Sequence, residues 1–88
     1  MYSFPAYRKY PNNKSFFKVL SADSFVEIQV IGRYYRIDLF EAKILPDRYF
    51  ISDMLELASG HWVETDEISF ENFRDTCEKE YKKAAGSL

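Results

Sequence analysis

Apolar and polar residues alternate over residues 24–40, and this alternation predicts a β-hairpin. Two apolar runs, Phe25–Ile31 and Tyr34–Phe40, flank the dipeptide Gly32-Arg33. Glycine at the first central position favours a two-residue II′ turn, because only glycine adopts that backbone conformation without strain. The turn predicts four facing pairs, which are Ile31 with Tyr34, Val30 with Tyr35, Ile28 with Ile37, and Val26 with Leu39.

The residues before the hairpin predict a further antiparallel strand over 15–20, joined to it by the four-residue turn 21–24. This turn predicts a register in which Phe17 faces Ile28, Lys18 faces Glu27, and Val19 faces Val26. The two registers together place the apolar side chains on one face, namely Phe17, Val19, Val26, Ile28, Val30, Tyr35, Ile37 and Leu39. The other face would carry Lys18, Glu27, Gln29, Arg36 and Asp38. One buried and one solvated face are typical of an antiparallel sheet covered on a single side.

Helical spacing of apolar residues first appears beyond residue 46. It predicts a helix from Asp47, as the N-cap, to Ala58, and Gly60 would end it. The alternative for this segment is a short strand over 48–51, followed by a brief helix that Ser52 caps.

The C-terminal segment has the clearest helical pattern. Ser69 is a preferred N-cap residue, and Ile68 and Phe73 are spaced to form a hydrophobic staple around it. Gly86 would end this helix. Its apolar stripe comprises Phe70, Phe73, Cys77, Tyr81 and Ala84. We therefore expect this helix to cover the apolar face of the sheet, and the run 61–63 to form an edge strand or a loop over the core.

These elements predict one small α+β domain over residues 1–88. Its parts are an extended arm (1–15), a β-meander (16–45) and a helical half (46–88). In this fold a three- to four-stranded antiparallel meander packs on one face against the C-terminal helix, with a second, shorter helix beside it. A chain of 88 residues has room for one modest core, and its 18% aromatic content lets few residues fill that core.

Positive charge is concentrated at the N-terminus. The whole chain has a net charge of −2, but residues 1–18 carry +4 and the remaining 70 carry −6. Pro5 and Pro11 oppose a helix in this segment, so it is predicted to be extended. A basic arm on an acidic body either binds an anionic partner or pairs with its own domain or a second copy.

Aromatic residues interleave with the basic ones in this arm, and this pattern predicts a binding segment. The expected function is that of a non-enzymatic cytoplasmic interaction or adaptor domain, which contacts another protein or a second copy in a homodimer. Its predicted partner-binding residues are Phe4, Tyr7, Arg8, Tyr10 and Phe16. The alternative is an accessory protein for single-stranded nucleic acid, since aromatic rings stack on bases while cations contact phosphates. Its predicted contacts are Arg8, Lys9, Lys14 and Lys18.

The remaining reactive side chains have simpler structural explanations. Glu27 and Asp38 would face each other on the solvated face, where carboxylates lack the burial that tunes a general acid. His61 and Cys77 are each the single residue of their type, whereas a structural zinc site takes four ligands, mostly Cys and His. We therefore predict no catalytic residue, no metal and no cofactor. Catalysis would require Glu27, Asp38 and His61 to converge in one pocket.

The compartment is inferred from what the sequence lacks. No apolar run is long enough to span a bilayer, and the N-terminus has no apolar core of a secretory signal. A single cysteine excludes an internal disulfide. We therefore expect a cytoplasmic protein that does not bind a membrane.

Overall fold

The structure, a computed structural model that describes residues 2–88, contains one six-stranded, mostly antiparallel sheet and two helices. The strands are β1 (Ala6–Lys9), β2 (Ser15–Ser21), β3 (Ser24–Ile31), β4 (Tyr34–Glu41), β5 (Val63–Thr65) and β6 (Lys82–Lys83). The helices are α1 (Leu45–Glu56) and α2 (Glu67–Glu80). The sheet order is β5-β1-β2-β3-β4-β6, so the first four strands form a meander with a short strand at each edge. The predicted α+β class is confirmed.

The hairpin of β3 and β4 has the predicted register. All four predicted pairs are present, from Ile31 with Tyr34 at the turn to Val26 with Leu39. Gly32 has a φ of +61°, which is the left-handed value that a II′ turn requires at its first central position. The alternating pattern and the glycine therefore determine this hairpin together.

The predicted register between β2 and β3 is wrong by one residue. Phe16, rather than Phe17, faces Ile28, and Phe17 faces Glu27. The pairing shifts between Val19 and Ser21, where an irregularity adds one residue to β2, and the connecting turn is shorter than predicted. Because side chains alternate between faces, a slip of one residue moves a whole strand's side chains to the opposite face.

This shift makes the sheet apolar on both faces, and the molecule has three layers instead of the predicted two. The face that packs against α2, here the α2 face, carries Tyr7, Phe16, Ile28, Tyr35 and Ile37, which pack with Phe70 and Cys77. The opposite α1 face carries Phe17, Val19 and Phe25, which pack with Ile51, Met54, Leu55 and Trp62. Helix α1 therefore lies on the opposite face of the sheet from α2, and not beside it as predicted.

The first helix exists, but its predicted bounds and cap are displaced. It begins at Leu45, two residues before the predicted N-cap. Asp47 instead lies in the first turn, where its carboxylate accepts hydrogen bonds from the backbone N–H groups of Lys43 (3.0 Å) and Ile44 (3.3 Å). The helix ends at Glu56 because Leu57 takes a left-handed conformation, with a φ of 60°. The alternative strand over 48–51 is not observed.

The second helix is capped by Asp66 and not by the predicted Ser69. The backbone N–H of Ser69 donates to Asp66 Oδ1 at 2.8 Å, and this bond lowers the pKa of the Asp66 carboxyl. Ile68 is exposed, so the predicted staple with Phe73 does not form. The apolar stripe is confirmed for Phe70, Phe73, Cys77 and Tyr81. The helix ends at Glu80, so Ala84 and Gly86 lie beyond it.

The run 61–63 combines the two predicted roles. Trp62 is buried in the core of the α1 face, and Val63 begins the edge strand β5. Among residues 2–88, no helix is long and apolar enough to cross a membrane.

Candidate functional site

The N-terminal segment is part of the sheet from residue 6 onward. β1 pairs with β2 on one side and with β5 on the other, so it is an inner strand. Three of the five predicted partner-binding residues are consequently buried, namely Tyr7 (9% exposed), Arg8 (6%) and Phe16 (6%). Tyr10 is half-buried and packs edge-on against Phe17. Phe4, which is 42% exposed, is the predicted contact that stays accessible.

Arg8 caps the C-terminal end of α1. Its guanidinium donates to the carbonyl oxygens of Met54 (3.0 Å) and Leu55 (3.1 Å), and to that of Tyr7 (2.8 Å). The last carbonyls of a helix have no intrahelical partner, and a cation at that end also interacts favourably with the negative end of the helix dipole. Glu64 lies 3.9 Å from the same guanidinium. Arg8 is therefore engaged within the domain.

The four basic residues proposed to contact nucleic acid do not form one surface. Arg8 points to the α1 face, whereas Lys9 and Lys18 belong to the α2 face through their neighbours Phe16 and Tyr7. The Lys9 ammonium donates to Asn13 Oδ1 at 2.7 Å and lies 5.7 Å from the centre of the Phe16 ring.

The accessible aromatic residues of the N-terminus line a groove of about 350 Å³ against α1, here the aromatic groove. Its lining residues are Tyr2, Phe4, Ala22, Asp23, Arg48, Ser52 and Leu55. Tyr2 is 45% exposed, so both rings present apolar surface to solvent. Leu55 is buried. Clustered exposed apolar side chains with polar groups at the rim mark a binding surface more often than scattered single ones do.

One face of α1 and the turn between β2 and β3 position this groove. Arg48, Ser52 and Leu55 follow one another at spacings of four and three residues, so they lie along one side of α1. The turn between β2 and β3 brings Ala22 and Asp23 to the same place. Asp23 Oδ1 pairs with Arg48 Nε at 3.1 Å, and its carbonyl accepts from the backbone N–H of Ala42 at 2.7 Å. The wall of the groove is therefore tied to both α1 and the end of β4.

The groove was only partly predictable. Phe4 was predicted as a contact, but Tyr2 and the α1 residues were not. The spacing of Arg48, Ser52 and Leu55 was a usable signal, since it defines one helix face. The sequence predicts a turn that includes Ala22, but it does not predict that this turn faces α1, because the ion pair of Asp23 with Arg48 joins distant parts of the chain.

The carboxylate pair predicted on the sheet is present. Glu27 faces Asp38 across β3 and β4 on the α1 face. Burial raises the pKa of Glu27; the neighbouring Ser15 hydroxyl offsets part of this rise, and the negative charge of Asp38 adds to it. Asp38 is paired with Arg36, whose Nε and Nη2 donate to the two carboxylate oxygens at 3.1 and 3.2 Å.

His61 does not complete a catalytic set with these carboxylates. Its ring lies 5.8 Å from that of Trp62, and within residues 2–88 no hydrogen bond or ion pair joins it to Glu27 or Asp38. The same part of the chain contains no group of three or more His, Cys, Asp or Glu side chains arranged to hold a metal ion. Cys77 is fully buried on α2, and burial, with the charges of Glu78 and Glu80, raises its pKa to about 11. A thiol in this state is a poor nucleophile at neutral pH.

Comparison with known proteins adds no assignment. No protein-family model matches the chain, and no curated protein or solved structure matches it at a significant level. The aromatic groove is therefore the feature of the molecule from which a function is best argued.

Proposed function

We propose that this chain is a non-enzymatic interaction domain that binds a protein partner in the aromatic groove. The observation that carries the proposal is the placement of Tyr2 and Phe4, two half-exposed rings that converge with Leu55 beside α1. Aromatic side chains are enriched at the centres of protein interfaces, because each covers a large apolar area while losing few rotamers.

The groove's chemistry indicates the kind of contact that it would make. Its floor and sides are apolar or small, whereas Asp23, Arg48 and Ser52 supply polar groups. The ion pair between Asp23 and Arg48 is well exposed, so both groups can still accept or donate hydrogen bonds. An apolar side chain of the partner would enter between the rings, and backbone groups beside it would bond to the polar rim.

The positions of the basic residues favour a protein over single-stranded nucleic acid as the partner. A strand tracked by Arg8, Lys9, Lys14 and Lys18 would need these cations on one surface. Arg8 is buried against α1, and Lys9 and Lys18 lie on the other face of the sheet. The proposed compartment remains the cytoplasm, where the single free thiol of Cys77 stays reduced.

The proposal is tested with matched variants as immobilised baits in extract from the source cells. The wild-type chain is compared with a Tyr2→Ser, Phe4→Ser double variant. The control is Tyr34→Ser, which removes an aromatic ring of similar exposure (50%) from the tip of the hairpin. A protein that binds through the groove is retained by the wild type and the control, and is lost from the double variant.

The proposal is overturned if the same proteins are retained by all three baits, or if none is retained by the wild type beyond the double variant. Because deletion of residues 1–11 would remove β1 from the middle of the sheet, side-chain substitutions are the appropriate tool. The same baits, incubated with single-stranded oligonucleotides at rising salt concentration, test the nucleic-acid alternative.

A further inference from the structure

The outer edge of β4 is only partly covered. In an antiparallel hairpin that closes through Ile31 and Tyr34, alternate residues of β4 direct their backbone groups away from β3. These outward residues are Tyr35, Ile37, Leu39 and Glu41. The C-terminal tail bonds to the first two of them. The N–H of Ala84 donates to the carbonyl of Tyr35, and that of Leu88 to the carbonyl of Ile37, each at 2.8 Å.

The second half of this edge is open. Within residues 2–88, the outward N–H and C=O groups of Leu39 and Glu41 have no hydrogen-bond partner. Leu39 is 47% exposed on the α2 face, and Phe40 is half-buried on the α1 face. Leu88, whose N–H bonds to Ile37 at the near end of this open stretch, is also exposed (62%). An unpaired, apolar strand edge is a template for pairing with another chain.

We infer that the open half of β4 pairs with the same strand of a second copy, antiparallel and about a two-fold axis at Phe40. In this register Leu39 of one copy faces Glu41 of the other, and Phe40 faces its symmetry mate. The outward residues Leu39 and Glu41 are separated by the inward Phe40, so each Leu39–Glu41 pair exchanges two backbone hydrogen bonds, and the Phe40 pair between them exchanges none. The stretch is therefore its own complement, which a two-fold interface requires.

Side-chain chemistry agrees with this arrangement. Glu41 meets the apolar Leu39 of the second copy, so no like charges are opposed. On the other face, Phe40 stacks on Phe25 with ring centres 4.8 Å apart. Facing residues in a non-hydrogen-bonded pair have the closest side chains, so the two Phe40 rings would extend this stack across the axis. The resulting sheet would run through both copies.

This inference concerns a different surface from the aromatic groove and does not depend on the proposed function. Its first test uses sedimentation velocity of the wild-type chain at micromolar to millimolar concentration. The variant Leu39→Glu opposes two carboxylates across the interface, and is expected to raise the dimer dissociation constant at least about tenfold. The control Ile31→Glu changes a residue of similar exposure (52%) at the other end of the hairpin, and is expected to dimerise like the wild type.

A second measurement needs no variant. The backbone amides of Leu39 and Glu41 are expected to become protected from hydrogen exchange as the concentration rises, while exposed amides of the hairpin turn do not change. A wild-type chain that stays monomeric at millimolar concentration overturns the inference, as does a dimer that Leu39→Glu leaves intact. If the dimer is instead lost in the Tyr2→Ser, Phe4→Ser variant, the groove is the self-association surface and the edge is not.

Discussion

The guanidinium of Arg8 donates from Nη2 to the carbonyl of Leu55 at 3.1 Å, although the two residues are 47 positions apart. Nε donates a second hydrogen bond, to the carbonyl of Met54, so the guanidinium contacts two carbonyls of α1. Both carbonyls lie in the last turn of α1, where the backbone itself supplies no partner. The inner strand β1 and the helix that forms one wall of the aromatic groove are therefore joined by one side chain.

Replacement of Arg8 by Met is expected to reduce the free energy of unfolding by about 2 kcal/mol, because the carbonyls of Tyr7, Met54 and Leu55 lose a charged donor. Urea unfolding followed by circular dichroism measures this change. The control is Lys14→Met, which removes an exposed basic side chain and is expected to change the stability by less than about 0.5 kcal/mol. Equal stability of the Arg8→Met variant and the wild type would show that the hydrogen bonds of Arg8 to the end of α1 do not stabilise the fold.

Glu27→Gln is expected to stabilise the domain at neutral pH, by up to about 1 kcal/mol. The raised pKa of Glu27 means that the folded state holds the proton more tightly than the unfolded state does. The stability that comes from protonation is therefore present at low pH and is lost as the pH rises through the folded-state pKa. Glutamine resembles the protonated form, so its advantage should disappear below about pH 4.

The measurement for Glu27 is the midpoint of urea unfolding at several pH values. Glu41→Gln is a matched control on the adjacent strand, where the side chain is exposed. An advantage of Glu27→Gln that is constant with pH, or that grows at low pH, would contradict the proposed origin of the shift.

Cys77 is expected to resist thiol reagents in the folded protein. Its side chain is fully buried, and its pKa of about 11 leaves little thiolate at neutral pH. Labelling with a chromogenic disulfide should be slow without denaturant and complete in urea. Rapid stoichiometric labelling of the folded chain would mean that the thiol is accessible.

The hairpin was predictable because its information is local. The turn glycine and the two alternating runs determine every pair between β3 and β4. The register of β2 depends on an irregularity between Val19 and Ser21, which adds one residue and is not visible in the apolar pattern. That single residue decides whether Phe17 and Val19 lie under one helix or the other. The adjacent phenylalanines at 16 and 17 were the available sign that both faces are buried.

The candidate site was harder to predict than the sheet, because it depends on contacts between distant parts of the chain. The basic and aromatic N-terminus predicts an extended arm that binds a partner or packs on its own domain, and the pairing of β5 with β1 makes residues 6–9 of it an inner strand. Arg8 is buried only because α1 ends beside it. Nothing in the sequence near Arg8 indicates that helix end. The half-exposed Tyr2 and Phe4 are what remain of the predicted binding segment.

If the proposed function holds, the rings of Tyr2 and Phe4 serve a partner and not the core. The most direct test is urea unfolding of the Tyr2→Ser, Phe4→Ser variant beside Tyr7→Ser, which removes a buried ring from the neighbouring strand β1. We expect the free energy of unfolding to fall by less than about 1 kcal/mol in the double variant and by about 3 kcal/mol in Tyr7→Ser. A loss in the double variant as large as that in Tyr7→Ser would show that the N-terminal rings complete the core and are not free to bind a partner.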